Sequence, residues 1–188
     1  MNRIERMLQE LCPEGVEYKK LGDVVTIKNG KNYKHLGKGN IPLYGSGGIM
    51  AYVDDFVYET PTVLIPRKGS LGNLFYVDTP FWNVDTIFYT VIDTEQVIAK
   101  FLYYVLLNEH LEDLNKAGGV PSLTQSTLNK IKIPVPPLPI QEEIVRILDH
   151  FTELTAELQA ELQARQEQYE YYRNKLLTFT KIGGVRKA

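Results

Sequence analysis

The carboxy-terminal part of the sequence contains no proline or glycine between Pro139 and Gly183, whereas both residues recur throughout the part before it. Within this stretch, apolar residues return every three or four positions, which is the spacing of one face of an α-helix. About 40 helical residues rise roughly 60 Å, which is more than a chain of 188 residues can cover with its own core. The sequence therefore predicts a long helix whose apolar stripe packs against a partner helix.

We call this stripe the seam and predict that it is a dimer interface. Its apolar members are Ile140, Ile144, Ile147, Phe151, Leu154, Leu158, Leu162, Tyr169, Tyr172 and Leu176. Arg165 occupies one further position, where a polar side chain can fix register or pair with an acid of the partner helix. Two consecutive steps of four residues meet at Leu158, a stutter that locally unwinds a supercoil.

Four prolines stand directly before the helix, in the segment PVPPLP from Pro134 to Pro139. Proline fixes φ and lacks a backbone N–H, so this segment is predicted to be an extended, unpaired rod that holds its flanks at a fixed distance. Pro139 suits the first helical turn, where the missing N–H costs nothing. Glu142 and Glu143 are expected in that same turn, near the positive end of the helix dipole.

The part of the chain before the prolines predicts an α+β fold. Helical spacing indicates a helix over residues 2–11, and short apolar runs between turn residues predict six strands in one twisted, mostly antiparallel sheet or half-barrel. The strands are expected at residues 24–27, 41–44, 50–53, 62–66, 73–77 and 86–92. A helix is expected from Glu95 to Leu107 with Thr94 as its N-cap, its pattern continuing towards Gly118. A short helix at 124–130 and a strand at 131–135 lead into the prolines.

The predicted organisation is a strand-rich domain with several helices at 1–136, a coiled-coil spacer helix at 137–180 and a flexible tail at 181–188. The net charge is −2, yet residues 18–48 carry six lysines and one acid, whereas residues 140–178 carry eight acids and four bases. A near-neutral total therefore hides a basic surface that can attract phosphate. The first residues lack the apolar core of a secretory signal and no stretch reaches the ~20 apolar residues of a membrane span, so we expect a cytoplasmic protein.

No pattern of catalytic or metal-binding residues stands out. Cys12 is the only cysteine, and neither CxxC nor HExxH occurs. The GSGG segment at 45–48 lacks the strand and helix that surround a phosphate-binding loop, so it is predicted to be a tight turn. We therefore expect no catalytic residue, no metal and no cofactor in this chain.

Two glycine-punctuated loops carry side chains that suit DNA. The segment IKNGKNYKHLGKGN (27–40) combines lysines, which can meet phosphates, with Asn32, whose carboxamide can read adenine with two hydrogen bonds. The segment PRKGSLGN (66–73) carries Arg67, the residue type that most often reads guanine, beside glycines that allow close backbone approach. The predicted DNA contacts are Lys28, Lys31, Asn32, Tyr33, Lys34, Lys38, Arg67, Lys68, Ser70 and Asn73. A solvated loop and a plain hairpin turn are the alternative interpretations of the two segments.

These segments together resemble the DNA specificity (S) subunit of type I restriction–modification systems. The resemblance is strongest over GGVPSLTQSTLNKIKIPVPPLPIQEEIVRILD (118–149) and extends to PTVLIPRKGSLG (61–72), FWNVDTIFYTV (81–91) and GVEYKKLGDVVTIKNGK (15–31). It implies a target recognition domain followed by a conserved helix, without catalysis in the chain itself. Such subunits usually carry this unit twice, whereas this sequence carries it once and looks like a half-length form.

The resemblance implies that the chain reads one half of a split site in double-stranded DNA. It would position methyltransferase subunits, with a restriction (motor–nuclease) subunit where the system has one, and S-adenosylmethionine would belong to the methyltransferase. Two copies would pair through the seam, and the rod and helix would set the distance between half-sites. The competing hypothesis is a coiled-coil interaction protein whose head binds a ligand other than DNA, and a nuclease acting alone is a third.

Overall fold

The computed structural model describes residues 3–114 and 122–179. The chain divides into two compact units, Met1–Val145 and Arg146–Ala188, and we call the first unit the head. The tail at 181–188, predicted to be flexible, lies outside the described residues. In the described ranges, no helix has both the length and the apolar character that a membrane span requires.

In the described chain, short helices flank a run of seven consecutive strands, and one long helix forms the last element. The helices are α1 (Arg3–Leu11), α2 (Leu21–Val24), α3 (Ala99–Asn108), a 3₁₀ helix (Leu111–Leu114), α4 (Gln125–Leu128) and α5 (Leu138–Leu177). The strands are β1 (Tyr18–Lys20), β2 (Val25–Asn29), β3 (Lys38–Gly45), β4 (Gly48–Val53), β5 (Thr62–Pro66), β6 (Phe75–Val77), β7 (Trp82–Asn83), β8 (Ile87–Ile92) and β9 (Lys132–Pro134). The α+β class, the six strands between residues 24 and 92, and the helices near residues 2–11 and 124–130 are confirmed.

The strands form three sheets, so the prediction of one sheet is wrong. A four-stranded antiparallel sheet has the order β2-β8-β5-β6, a three-stranded sheet has the order β4-β3-β7, and β1 pairs with β9. The β3–β7 pair is parallel. The β3–β4 pairing shifts register twice, between Lys38 and Ile41 and between Leu43 and Tyr44. Such irregularities increase the local twist of the hairpin.

The core explains why β5 is entirely apolar apart from its first residue. All five residues of β5 are buried, and alternate residues of a strand point to opposite faces of the sheet. Val63 and Ile65 pack into the main hydrophobic cluster with α3 residues such as Leu102. Leu64 packs on the opposite face with Phe81 in a largely aromatic cluster. The four-stranded sheet is therefore covered on both faces around β5.

Helix α3 begins later than the sequence predicts. It starts at Ala99 with Ile98 as its N-cap, whereas Thr94 and Glu95 lie in a turn. Asp93 causes this difference, because its carboxylate accepts hydrogen bonds from Glu95 N at 3.1 Å and from the Gln96 side chain at 2.6 Å. The helical pattern also breaks after Asn108, and the chain resumes as the 3₁₀ helix; the rest of the predicted extension lies outside the described residues.

The proline segment is shorter as a rod than predicted. Pro134 is the last residue of β9 and lies opposite Tyr18, and Val135 N donates to the Glu17 carbonyl oxygen at 2.8 Å. Helix α5 already begins at Leu138, with Pro139 in its first turn as expected. The prediction of an unpaired rod over the whole of 134–139 is therefore wrong at both ends, and only three residues separate β9 from α5.

The first turn of α5 carries no acidic residue, so the placement of Glu142 and Glu143 in that turn is also wrong. The helix begins two residues earlier than the seam suggests, because Pro137 already accepts hydrogen bonds from Ile140 N and Gln141 N. Glu143 instead faces the head, where it is 4% exposed and lies 3.4 Å from the Arg3 guanidinium of α1. The base of α5 is thus attached to the head through a buried carboxylate.

Candidate nucleic-acid interface

The first candidate loop, residues 30–37, is attached to β7 by its backbone, and we call it the lysine loop. Lys31 N donates to the Asn83 carbonyl oxygen at 2.8 Å, and the Trp82 indole N–H donates to the Lys31 carbonyl oxygen at 3.3 Å. The two backbones approach closely at Gly30, where an added methyl group would lie 2.0 Å from the Val84 carbonyl oxygen. Glycine is therefore required at position 30 for this attachment.

The apolar residues of the lysine loop point inward and leave its cationic residues outside. Tyr33 and Leu36 pack against the cluster that contains Trp82, and Leu36 N donates to the Tyr33 carbonyl oxygen at 2.9 Å. Lys31 and Lys34 are exposed. The loop therefore presents its charges from a fixed backbone, which lowers the entropic cost of binding a ligand.

Asn32 is exposed, but its carboxamide is partly engaged within the loop. Its Oδ1 accepts a hydrogen bond from Lys34 N at 3.0 Å. The two-bond reading of adenine uses both the oxygen and the nitrogen of the carboxamide, and in this conformation one of the two lone pairs of the oxygen is already engaged. The Nδ2 group can still donate one hydrogen bond to an acceptor on a base edge.

The second candidate loop, residues 67–74, connects β5 to β6, and we call it the arginine turn. Arg67 N and Lys68 N both donate to the Thr86 carbonyl oxygen, at 2.9 and 3.3 Å. Leu71 and Leu74 are buried and anchor the turn in the head. The Arg67 guanidinium lies 5.8 Å from the centre of the Phe88 ring, a cation–π geometry that restricts the side chain before any ligand binds.

The fold brings the two candidate loops together. The lysine loop is bonded to Asn83 and the arginine turn to Thr86, so both are attached to one four-residue segment, 83–86. An open cavity of about 330 Å³ lies between the lysine loop and this segment, lined by Lys31, Asn32, Tyr33, Lys34, Val84 and Asp85. Residues that are about 40 positions apart in the sequence are therefore attached to one short segment, and we call the surface of the two loops the loop face.

The cationic side chains of the loop face are available to a ligand. Lys28 lies exposed on β2 and Lys38 at the start of β3, beside the lysine loop, while Lys68, Ser70 and Asn73 are exposed on the arginine turn. Across residues 3–114 and 122–179, neither these lysines nor Arg67 lies within ion-pair distance of a carboxylate. The same ranges hold no group of His, Cys, Asp and Glu side chains that could bind a metal ion.

The loop face includes a residue that the sequence did not indicate. GSGG at 45–48 forms the β3–β4 hairpin turn, which confirms the prediction of a tight turn. Gly69 of the arginine turn adopts φ = +84°, and a methyl group on it would lie 3.4 Å from the Ser46 hydroxyl oxygen. Ser46 therefore borders the arginine turn through a long-range contact, for which a local sequence pattern gives no signal.

The seam of α5 divides into a buried and an exposed part. Ile140 is 1% exposed within the head and Ile144 packs partly against the main cluster, so Ile140 has no surface left for a partner and its assignment to a dimer interface is wrong. The exposed members are Phe151, Leu154, Leu158, Leu162, Tyr169, Tyr172 and Leu176, which are 41–69% exposed. Arg165 pairs with Glu161 of its own helix at 3.6 Å.

Comparison with known proteins places this arrangement in a family. Residues 13–167 match the family described as "Type I restriction modification DNA specificity domain". A Haemophilus influenzae protein named "Putative type I restriction enzyme specificity subunit" is 37% identical over 186 residues, covering 90% of this chain and 48% of that protein. The type I restriction enzyme MpnII specificity subunit of Mycoplasma pneumoniae is 26% identical over 169 residues, covering 84% of this chain and 51% of that protein.

Solved structures share the fold. The crystal structure of a type I restriction–modification system S subunit from M. genitalium superposes with a TM-score of 0.70 at 24% identity, covering 95% of this chain and 49% of that one. The chain thus spans about half the length of the Haemophilus influenzae and Mycoplasma pneumoniae relatives named above. Since the family match extends from the first strands through most of α5, this chain belongs to the family of type I restriction–modification DNA specificity subunits.

Proposed function

We propose that the head reads one half of a split site in double-stranded DNA through the loop face. The observation that carries this proposal is the attachment of both candidate loops to the segment 83–86, with unpaired cationic side chains directed outward. In this role the chain is a recognition subunit that does no chemistry, as is a specificity subunit in general. Because its ligand is DNA, its place of action is the cytoplasm.

The residues of the loop face would divide the work of binding. Exposed lysines such as Lys31 and Lys34 suit phosphates, which set affinity and register without sequence information. Arg67 suits the major-groove edge of guanine. Its guanidinium lies over the Phe88 ring, which restricts the donor fork to few conformations. Asn32 offers its Nδ2 donors and the remaining lone pair of Oδ1, which suit the edge of a purine.

We further propose that two copies pair through the exposed seam of α5. The seven steps from Phe151 to Leu176 span 25 residues, an average of about 3.6 residues, which equals one helical turn. The stripe therefore runs parallel to the helix axis, whereas a strict heptad repeat drifts and imposes a left-handed supercoil. Such helices would pair with little supercoiling. A symmetric pair reads a palindromic split site, because protein symmetry is mirrored in the DNA site.

The partners in this proposal are those of a type I system. A methyltransferase subunit would supply S-adenosylmethionine and modify adenine within the site, and a restriction (motor–nuclease) subunit would join where the system has one. The chain itself would need no metal or cofactor. Its contribution would be the choice of sequence by the head and, through α5, the spacing between half-sites.

Selection of bound sequences from a random DNA library tests the reading of DNA by the loop face. Arg67→Ala and the charge-preserving Arg67→Lys are compared with Arg6→Ala, which removes an exposed arginine from α1. If Arg67 reads a base, both Arg67 variants lose ~1–3 kcal/mol of discrimination at one position of the motif. A loss by Arg67→Ala that is equal across sequences, with Arg67→Lys unaffected, would instead assign Arg67 to a phosphate.

Sedimentation equilibrium tests the pairing through the seam. Leu162→Glu places a charge within the exposed seam, whereas Ala160→Glu places the same charge on the opposite side of α5. We expect Leu162→Glu to give monomers and Ala160→Glu to remain dimeric. If Leu162→Glu is as dimeric as the unchanged chain, the seam is not the interface.

A genome-wide map of methylated adenines, with and without the gene, tests the function in the cell. Loss of one split motif on deletion supports the proposal, and a palindromic motif supports pairing of identical copies. An asymmetric motif would mean that a second, different specificity unit completes the site. No change in any motif, although the methyltransferase is expressed, would reject the proposed function.

A further inference from the structure

Strand β4 exposes an apolar surface that the reading of DNA does not use. It is an outer strand of the three-stranded sheet, and Ile49, Met50 and Tyr52 are 49%, 57% and 55% exposed. Phe56, shortly after the strand, is 42% exposed. Met50 and Tyr52 share one face of the strand, whereas Ile49 lies on the other. All four exposed side chains fall within eight residues, and we call them, with the outer edge of β4, the β4 edge. Exposed apolar residues grouped on a protein surface mark interaction sites more often than scattered ones do.

The backbone of this strand is also open to a partner. Within the described part of the chain, the only backbone partner of β4 is β3, on its inner side. Proteins that remain monomeric usually protect an outer strand with a lysine, a proline or an inward-pointing charged residue. The sequence GIMAYV of β4 contains none of these, so the strand can accept a further strand by backbone hydrogen bonding.

The surroundings of the β4 edge are acidic. Asp54 and Asp55 follow the strand directly, and Glu59 lies four residues further on. Burial raises the pKa of Tyr44, and the neighbouring Tyr52 and Asp78 raise it further, so a fourth carboxylate lies near Tyr44, which is itself a neighbour of the exposed Tyr52. Negative charge disfavours the DNA backbone and favours a protein segment with lysine or arginine.

We propose that the β4 edge docks the methyltransferase subunit, which adds a strand with apolar side chains flanked by basic ones. This inference rests on the proposed function. The location is suitable because β4 starts at the hairpin turn that holds Ser46, and Ser46 borders the arginine turn. An enzyme docked there lies beside the DNA that the loop face binds, where it must act on a base of the same site.

The principal test measures the affinity of the purified methyltransferase subunit of the same system for the full chain. The double variant Met50→Ser/Tyr52→Ser is compared with Tyr18→Ser, which removes another exposed tyrosine from a strand of a different sheet. We expect the double variant to bind the methyltransferase at least about tenfold more weakly, as for loss of central interface anchors. Tyr18→Ser, and the DNA selectivity of all three chains, should be unchanged.

A second variant tests the charge argument without removing apolar surface. Asp54 Oδ1 accepts from Gly37 N and Asp55 Oδ1 accepts from Phe56 N, both at 2.8 Å. Asp54→Asn/Asp55→Asn keeps an acceptor oxygen at both positions and removes the two charges. We expect this variant to bind the methyltransferase more weakly at low salt and to show a smaller dependence of affinity on salt concentration.

Each outcome decides between the two proposals. Unchanged methyltransferase affinity in both double variants overturns the docking inference, and so does a loss of DNA selectivity with methyltransferase binding intact. If Met50→Ser/Tyr52→Ser unfolds at a lower temperature than the unchanged chain, the aspartate variant decides. If the unchanged chain fails to select any DNA sequence, the proposed function itself is rejected. The β4 variants do not test that function.

Discussion

Replacing Gln141 by alanine should destabilise the head more than any other single change of a polar side chain on α5. Gln141 is 0% exposed. Its Oε1 accepts from Ile98 N at 2.9 Å, and its Nε2 donates to the carbonyl oxygens of Gln96 and Pro136, both at 2.8 Å. One side chain thus joins the start of α5, the N-cap of α3 and the proline segment.

The magnitude follows from the three groups that lose their partner. A buried backbone N–H or C=O left without a hydrogen bond costs ~1–3 kcal/mol. Alanine has the higher helix propensity, but this offsets only a few tenths of a kcal/mol. If water enters and satisfies part of the site, we expect a loss of about 3–5 kcal/mol in the free energy of unfolding. That is a large share of the roughly 5–15 kcal/mol of a typical domain.

Urea unfolding followed by Trp82 fluorescence measures this loss, because Trp82 is the only tryptophan and is 5% exposed in the head. The control is Gln163→Ala on the same helix, since Gln163 is exposed and bonds only Glu167, at 3.2 Å. It should change the free energy of unfolding by less than about 0.5 kcal/mol. A Gln141→Ala chain that matches the control, with the same dependence on urea, would refute the reasoning.

Three further predictions concern the head. Thr90→Val should lower the free energy of unfolding by ~1–3 kcal/mol in urea, because the Thr90 hydroxyl accepts from Val63 N at 3.0 Å and donates to the Val63 carbonyl oxygen at 3.2 Å. Burial, followed by a neighbouring tyrosine, raises the pKa of Tyr89. Since an unfolded tyrosine ionises near pH ~10, the free energy of unfolding should fall as the pH rises above that value. In Tyr89→Phe the free energy of unfolding should fall less steeply with pH. Gly30→Ala should weaken DNA binding and lower the midpoint of thermal unfolding, because its methyl group would lie 2.0 Å from the Val84 carbonyl oxygen.

Local sequence patterns predicted the strands that contain a run of apolar residues. β3, β4, β5 and β8 each hold five or more residues, and the apolar runs within them indicated strands. The strands Tyr18–Lys20 and Trp82–Asn83 were missed because YKK and WN contain no such run, whereas the equally short β6 lies within the apolar run NLFYV (73–77). They exist through pairing with β9 and β3, which are distant in the sequence.

The candidate site shows the same limit. Composition identified the lysine loop and the arginine turn separately, because lysine, asparagine, arginine and glycine have recognisable roles near DNA. Their meeting at the segment 83–86 depends on backbone hydrogen bonds across more than fifty residues for Lys31. The engagement of Asn32 Oδ1 with Lys34 N likewise depends on the folded turn, so this partial engagement of the carboxamide could not be inferred from residue type.

The seam illustrates why periodicity alone cannot assign a partner. Ile140 and Phe151 belong to one uninterrupted stripe, yet Ile140 is 1% exposed in the head and Phe151 is 59% exposed. A stripe records only that each position requires an apolar neighbour; it does not distinguish a neighbour in the same chain from one in another chain. The buried Gln141 and Glu143 mark the difference, because they bond to the head from the same turn of α5. Polar residues buried beside a seam therefore indicate where a helix is still part of its own domain, and the exposed remainder is the part that we propose to pair with a second copy.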